Sequence, residues 1–127
     1  MMNAKVRELK KLKAKKDELD EKIRDAICQA CDEIIEGKLH DQFICDPVQG
    51  GAGTSTNMNA NEVIANIAIE LLGGEKGDYS VVHPNDHVNY GQSTNDVVPT
   101  AGKMTTLVML QDLKQSLTHL KSKLDEK

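Results

Sequence analysis

Aromatic side chains are almost missing from this sequence: Phe43, Tyr79 and Tyr90 are the only three, and there is no Trp in 127 residues. Strands and sandwich cores draw on aromatic and β-branched residues, so this poverty argues against an all-β fold. Proline is scarce too, at three residues, which leaves long stretches open to helix. No apolar run approaches the ~18 residues a membrane-crossing helix needs. The basic start has no apolar segment of the secretory kind, and the resulting expectation is a cytoplasmic protein. Basic patches interleaved with aromatics are lacking as well, which disfavours a dedicated nucleic-acid binder. Three cysteines, Cys28, Cys31 and Cys45, are an odd number with no export signal, so reduced thiols are expected rather than a disulfide framework.

What is present is charge and helical periodicity. The net charge is −4, but residues 1–24 are net basic and the remainder is acidic. The early lysines interleave with acids at helical spacing and read as a solvated helix face. Apolar residues at Val6, Leu9, Leu12, Leu19, Ile23, Ile27, Ala30 and Ile34 predict one long amphipathic helix, thin around Lys13–Lys16 and stopped by Gly37. Residues 46–54 are polar and glycine-rich and read as an irregular loop. A second helix is expected from near Asn59, capped by that side chain with Glu62 as a capping-box partner, to Gly73-Gly74. Between residues 75 and 92 only a short helical turn after Pro84 is expected. The last helix runs from about Thr94, with Pro99 tolerated in a first turn or at a kink. Its Leu110, Leu113, Leu117, Leu120 and Leu124 step by three and four, which is a bundle seam in want of partner helices. The fold class is therefore all-α.

Four constellations bear on chemistry. Cys28-x-x-Cys31 has redox or zinc spacing, but it lies inside a helical pattern with no second Cys/His pair, and reads as two half-buried helical thiols. Gly50-Gly51-Ala52-Gly53-Thr54-Ser55-Thr56 fails the P-loop pattern for want of a Lys and the dinucleotide fingerprint at Thr56. It remains either an anion site for a carboxylate or phosphate beside a helix start, or a structural turn. His83 and His87 have the spacing of two zinc ligands, but Pro84 stands where the metalloprotease motif needs Glu and no third ligand is evident; no metal is expected, and His83 reads as a cap or as a weak anion contact. Gln92-Ser93-Thr94-Asn95-Asp96 crowds more polar side chains at a helix start than capping requires, a pattern that suits stabilisation of developing negative charge.

Two of these segments carry a resemblance. The string from Gln49 to Asn66 (QGGAGTSTNMNANEVIAN) and that from His83 to Asp96 (HPNDHVNYGQSTND) resemble, in order and separation, two signature blocks of the aspartase/fumarase superfamily. The similarity covers residues 42–106 closely and extends loosely back to Glu21. Ala52 and Thr94 are similar to the aspartate ammonia-lyase branch, whereas the fumarase branch favours Ser-Gly-Thr and Ser-Ser-Asn at those places.

The resemblance implies reversible deamination of L-aspartate to fumarate and ammonia, without a metal or organic cofactor. A base removes a proton beside the side-chain carboxylate, and the enediolate that results needs dense hydrogen-bond donation. On the family pattern Thr54, Ser93 and Thr94 hold that carboxylate and Asn95 holds the departing amino group. His83, Asn85 and Asp86 match a second, non-catalytic anion site. The family's catalytic serine lies on a downstream Gly-Ser-Ser loop with no counterpart in these residues, and no catalytic residue is assigned among them. Thr118-His119 lacks the context of the family's Thr-His pair and is rejected as a substitute. The implied organisation is a partial N-terminal helical domain over residues 1–92 and the first helix of a central bundle over 93–127. The implied assembly is a homotetramer whose active sites combine three subunits. These residues alone are expected to be inactive. Two alternatives stay open: a fumarase-type segment acting on malate, and a non-catalytic helical assembly module.

Overall fold

The structure is a computed structural model that describes residues 20–46, 48 and 50–126. The first part of the expected long helix, up to Leu19, lies outside the described residues. Among the described residues every regular element is helical and no strand is present, so the all-α expectation holds. The chain divides into two compact units, the first ending at Gly91 and the second beginning at Gln92.

In the first unit, α1 is helical from residue 20, the first described, to 35. It ends where the sequence places a glycine. Gly37 adopts φ +92°, and the amides of Gly37 and Lys38 reach back to the carbonyls of Ile34 (3.0 Å) and Glu33 (3.1 Å). That pair of bonds is a Schellman ending, which satisfies carbonyls a helix end leaves open. His40 Nε2 donates to the Ile34 carbonyl at 3.0 Å, and a single 3-10 turn, His40–Gln42, follows.

Helix α2, Thr54–Leu71, ends the same way: Gly73 at φ +82° and Gly74 donate to Glu70 and Ile69 carbonyls, both at 2.9 Å. Its start differs from expectation. The N-cap is Gly53 at φ +84° with no side-chain cap, and Asn59 lies more than a turn inside the helix. The Asn59 side chain is used elsewhere: it donates to the Gln42 carbonyl at 3.1 Å and accepts from the Cys45 amide at 3.3 Å. Asn66, two turns further along, clamps the loop on the other side, accepting the Gly77 amide at 2.7 Å and donating to the Glu62 carbonyl at 2.8 Å.

Ile23 and Ala26 of α1, Ala65, Ala68 and Ile69 of α2, and Val82 form the core, with Ile27, Leu72, Val81 and Val88 packed against it. Alanines at the contact let the two helices approach closely, while the fully buried Ile69 supplies roughly 1.5–3 kcal/mol of apolar burial. A short π-helical turn, Pro84–Val88, follows Val82 and lays the buried Pro84 and the half-buried Val88 onto this core.

The second unit is one long helix, α3, Thr94–Asp125. Pro99 lies inside it, in the second turn rather than the first, so the Asn95 carbonyl has no amide from that position. None of its residues is buried. Leu110, Leu113, Leu117, Leu120 and Leu124 keep 46–63% of their surface exposed along the seam the spacing indicated.

Candidate functional site

The glycine loop feeds directly into α2. Gly51, Ala52 and Gly53 all have positive φ (+114°, +56° and +84°). For Ala52 that conformation costs on the order of 1 kcal/mol, because its Cβ crowds the backbone. The tight turn brings Thr54 over Gly51: the Thr54 hydroxyl donates to the Gly51 carbonyl at 2.8 Å, and its amide reaches the same oxygen at 3.2 Å. Thr54 is exposed, but its proton is committed to its own loop, so it donates to a ligand only after releasing Gly51.

The second segment is organised around His83, the N-cap of the π-helical turn. Its Nδ1 accepts the amides of Asn85 and Asp86, both at 3.2 Å, as the capping reading anticipated. The His83 amide in turn donates to His87 Nδ1 at 2.8 Å. Both rings therefore present a lone pair at Nδ1, which assigns the Nε2–H tautomer to each from the hydrogen-bond network. Asp86 Oδ2 lies 3.4 Å from His83 Nδ1. An ion pair there needs a proton on the nitrogen that accepts the two amides, so the two arrangements exclude one another. The capped form is the one drawn by the backbone geometry. The amides of Asn85 and Asp86, which an anion at this turn would need, are held by His83.

The third segment opens α3. Ser93 is the N-cap, extended at φ −111°, ψ 147°, and its Oγ accepts the Asn95 amide at 3.2 Å. Its carbonyl takes the amides of Asp96 (2.9 Å) and Val97 (3.0 Å). Because the hydroxyl caps through a lone pair, its own proton remains to donate. Thr94 and Asn95 are the first two helical residues, where the positive end of the helix dipole favours a carboxylate. Asp96 follows in the first turn, an acidic residue that suits the same end.

Thr54, His83, Asn85 and Asp86 thus belong to the first unit, and Ser93, Thr94 and Asn95 to the second. Residue spacing did not reveal the bond that links the two blocks within the first unit. Asn57, 5% exposed in the first turn of α2, donates through Nδ2 to Asn89 Oδ1 at 3.4 Å, and the Asn89 amide closes the π-helical turn on the Pro84 carbonyl at 3.0 Å. The available signal was an amide on the apolar side of a helix, since Asn57 and Asn61 are buried beside Ala65 and Ala68.

All three cysteines are free. Cys31 is half-buried as expected, whereas Cys28 is exposed. Burial pushes the Cys31 thiol above the ordinary value, with Cys28 and Asp32 adding to the shift, which makes it the less reactive of the two.

Comparison with known proteins follows the same segments. The family model for lyases matches residues 3–127. An aspartate ammonia-lyase of Helicobacter pylori is 55% identical over 109 residues, covering 86% of this chain and 23% of that protein. A class II fumarate hydratase of Halobacterium salinarum is 57% identical over 110 residues, with the same 86% and 23% shares. The crystal structure of a fumarate lyase:delta crystallin from Brucella melitensis superposes with a TM-score of 0.68 at 60% identity, over 69% of this chain and 20% of that one. The chain spans about a quarter of the length of the curated relatives it matches.

Proposed function

This chain belongs to the lyase family, within the aspartase/fumarase superfamily, and from that premise we propose that it supplies the carboxylate-binding part of an aspartate ammonia-lyase. The observation that carries the reading is the start of α3, where Ser93 caps with a lone pair and keeps its proton, with Thr94 and Asn95 beside it at the positive end of the helix. Ser93 and Thr94 donate to the carboxylate next to the carbon that loses its proton. Thr54, once its hydroxyl leaves Gly51, is a further donor to a substrate carboxylate in the assembled enzyme. Asn95 holds the amino group.

As the base takes the proton, the electron pair moves onto this carboxylate as an enediolate. Collapse of the enediolate forms the double bond of fumarate and expels ammonia. Fixed hydroxyl donors act on the charge as it develops, and each is worth about 10²–10³ in rate. No residue here is assigned as the base, which comes from elsewhere in the assembled enzyme. In this reading His83, Asn85 and Asp86 form the second, non-catalytic anion site once His83 releases the Asn85 and Asp86 amides. Residues 1–92 act as part of a helical domain and 93–127 as the first helix of a central bundle, in a cytoplasmic homotetramer joined through the α3 leucines.

The 57% identity to a fumarate hydratase favours a second reading, hydration of fumarate to malate at the same carboxylate site. Ala52 and Thr94 weigh for aspartate. In a full-length homologue, Thr94→Ser should shift preference from aspartate towards malate, and an unshifted preference removes Thr94 as evidence. Two experiments test the principal reading. The purified chain mixed with L-aspartate should give no rise in fumarate absorbance, and robust turnover contradicts the assignment of the base to another segment. Exchanged for the matching stretch of a full-length aspartate ammonia-lyase, these residues should support deamination of L-aspartate. An assembled but inert hybrid overturns the proposal.

A further inference from the structure

The turn between Val82 and Asn89 is held by two histidines that serve each other's backbone. His83 contributes every polar group it has near the turn: Nδ1 accepts the amides of Asn85 and Asp86, its amide donates to His87 Nδ1, and its carbonyl takes the amides of His87 (3.0 Å) and Val88 (3.3 Å). Three of these bonds, at 2.8, 3.2 and 3.2 Å, end on an imidazole lone pair. Serine, asparagine and aspartate are the usual N-caps, and none of them changes its accepting capacity near neutral pH. Histidine does, because protonation turns the acceptor into a donor that faces N–H groups.

We propose that this turn is a proton-operated latch, closed while both rings are neutral and opened when His83 gives up the two amides for the Asp86 carboxylate. The alternative partner is already in place, with Asp86 Oδ2 3.4 Å from His83 Nδ1. The neutral ring caps the turn; the imidazolium pairs with Asp86 and leaves the amides of Asn85 and Asp86 to solvent. Protonation of His87 removes the acceptor for the His83 amide, so the two events reinforce one another.

The charged surroundings are mixed. Asp20, Arg24 and Cys28 of α1 share a cleft with Asp86, His87 and Tyr90, and Tyr79 meets the His83 ring edge-on at a centroid distance of 5.9 Å. Arg24 is engaged with Asp25 at 2.7 Å, and the α2 carboxylates Glu62 and Glu70 line a different cleft with Lys76. Asp20 and Asp86 are therefore the carboxylates placed beside the pair among the described residues. Opening frees Pro84 and Val88 from the core edge and slackens the Asn57–Asn89 bond, while the contacts among Ile23, Ala65 and Ile69 do not depend on the turn.

The test is NMR of the 127-residue chain across the range where histidines change charge, from about pH 8 to about pH 5. At the upper end, long-range nitrogen–proton spectra should show the Nε2–H tautomer for both rings. On acidification, hydrogen-exchange protection of the His83, Asn85 and Asp86 amides should fall at least about tenfold, while that of mid-α2 amides such as Ile67 is unchanged; a tenfold loss corresponds to about 1.4 kcal/mol of local opening. The double variant His83→Asn/His87→Asn keeps an acceptor at each cap that does not titrate, and should hold its protection constant. An Nδ1–H tautomer at high pH, protection that does not move with pH, or a double variant that responds like the parent each overturns the latch.

Discussion

Ser93 Oγ accepts the Asn95 amide at 3.2 Å, so the residue that starts α3 caps the helix through a lone pair and keeps its own proton, which we propose serves a ligand. The two roles separate by substitution. Ser93→Ala removes both and should lower the local stability of α3 by about 1 kcal/mol, whereas Ser93→Asp retains an equivalent cap at almost no cost. Amide exchange at Asn95 and Asp96 reads the cap. Dicarboxylate affinity in the assembled enzyme reads the other role and should fall in both variants, more in the aspartate variant because it sets a negative charge at the proposed carboxylate site. Equal affinity in Ser93→Asp and the parent would show that the hydroxyl does not face the ligand.

The end of α2 rests on a pair of glycines required for different reasons. A Cβ on Gly74 would lie 2.9 Å from Ile69 Cγ2 and 3.4 Å from the Ile69 carbonyl, whereas Gly73 has open space around it but φ +82°. Gly74→Ala should destabilise the first unit by about 1–3 kcal/mol through overpacking. Gly73→Ala should cost about 1–2 kcal/mol through backbone strain. Pairing each with Ile69→Val in thermal unfolding distinguishes them, since the smaller side chain rescues Gly74→Ala in part and leaves the cost of Gly73→Ala unchanged.

The helix ends were legible in the sequence because glycine is nearly alone in tolerating the left-handed conformation that closes a Schellman motif, as Gly37 and Gly73 show. The start of α2 was not. A helix beginning on a left-handed Gly53 carries no capping side chain to read, and the residue that looked like a cap, Asn59, holds Cys45 and Gln42 instead. The hydroxyls of Thr54, Ser93 and Thr94 stood out by their density. That Thr54 is turned onto Gly51 while Ser93 is open depends on loop dihedrals that no spacing encodes. His83 was legible as a cap, but the return bond from its amide to His87 was not: the two are four apart, as zinc ligands often are, and only the backbone path shows that both Nδ1 atoms point at amides.

Along α3 the leucines at 110, 113, 117, 120 and 124 are about half exposed, a continuous apolar stripe on a helix with no buried residue. Leu117→Asp places a charge in the middle of that stripe. It should abolish self-association in sedimentation experiments while leaving α3 helical by circular dichroism. Association that survives the substitution rules out this seam as the assembly surface.

Cys28 and Cys31 predict a difference in thiol chemistry and a pH dependence of stability. Alkylation should modify the exposed Cys28 several-fold faster than the half-buried Cys31, whose thiol is pushed up by burial. A raised value in the folded chain means the thiol's contribution is complete below pH 9.0. Above it the unfolded chain ionises first, and the contribution is lost as pH rises through the folded value. Denaturation midpoints of the parent should therefore decline more steeply than those of Cys31→Ala as pH rises above the ordinary thiol value. Parallel declines would mean that Cys31 is not protected in the folded state.

The most direct measurement of the central claim is fumarate production by the hybrid in which these residues replace the matching stretch of the Helicobacter pylori aspartate ammonia-lyase. The predicted result is an assembled enzyme with kcat/KM for L-aspartate within about tenfold of its parent, falling by about 10²–10³ on Ser93→Ala with assembly intact. A hybrid that assembles yet does not turn over aspartate, or one whose activity is indifferent to Ser93→Ala, contradicts the assignment of the carboxylate site to the start of α3.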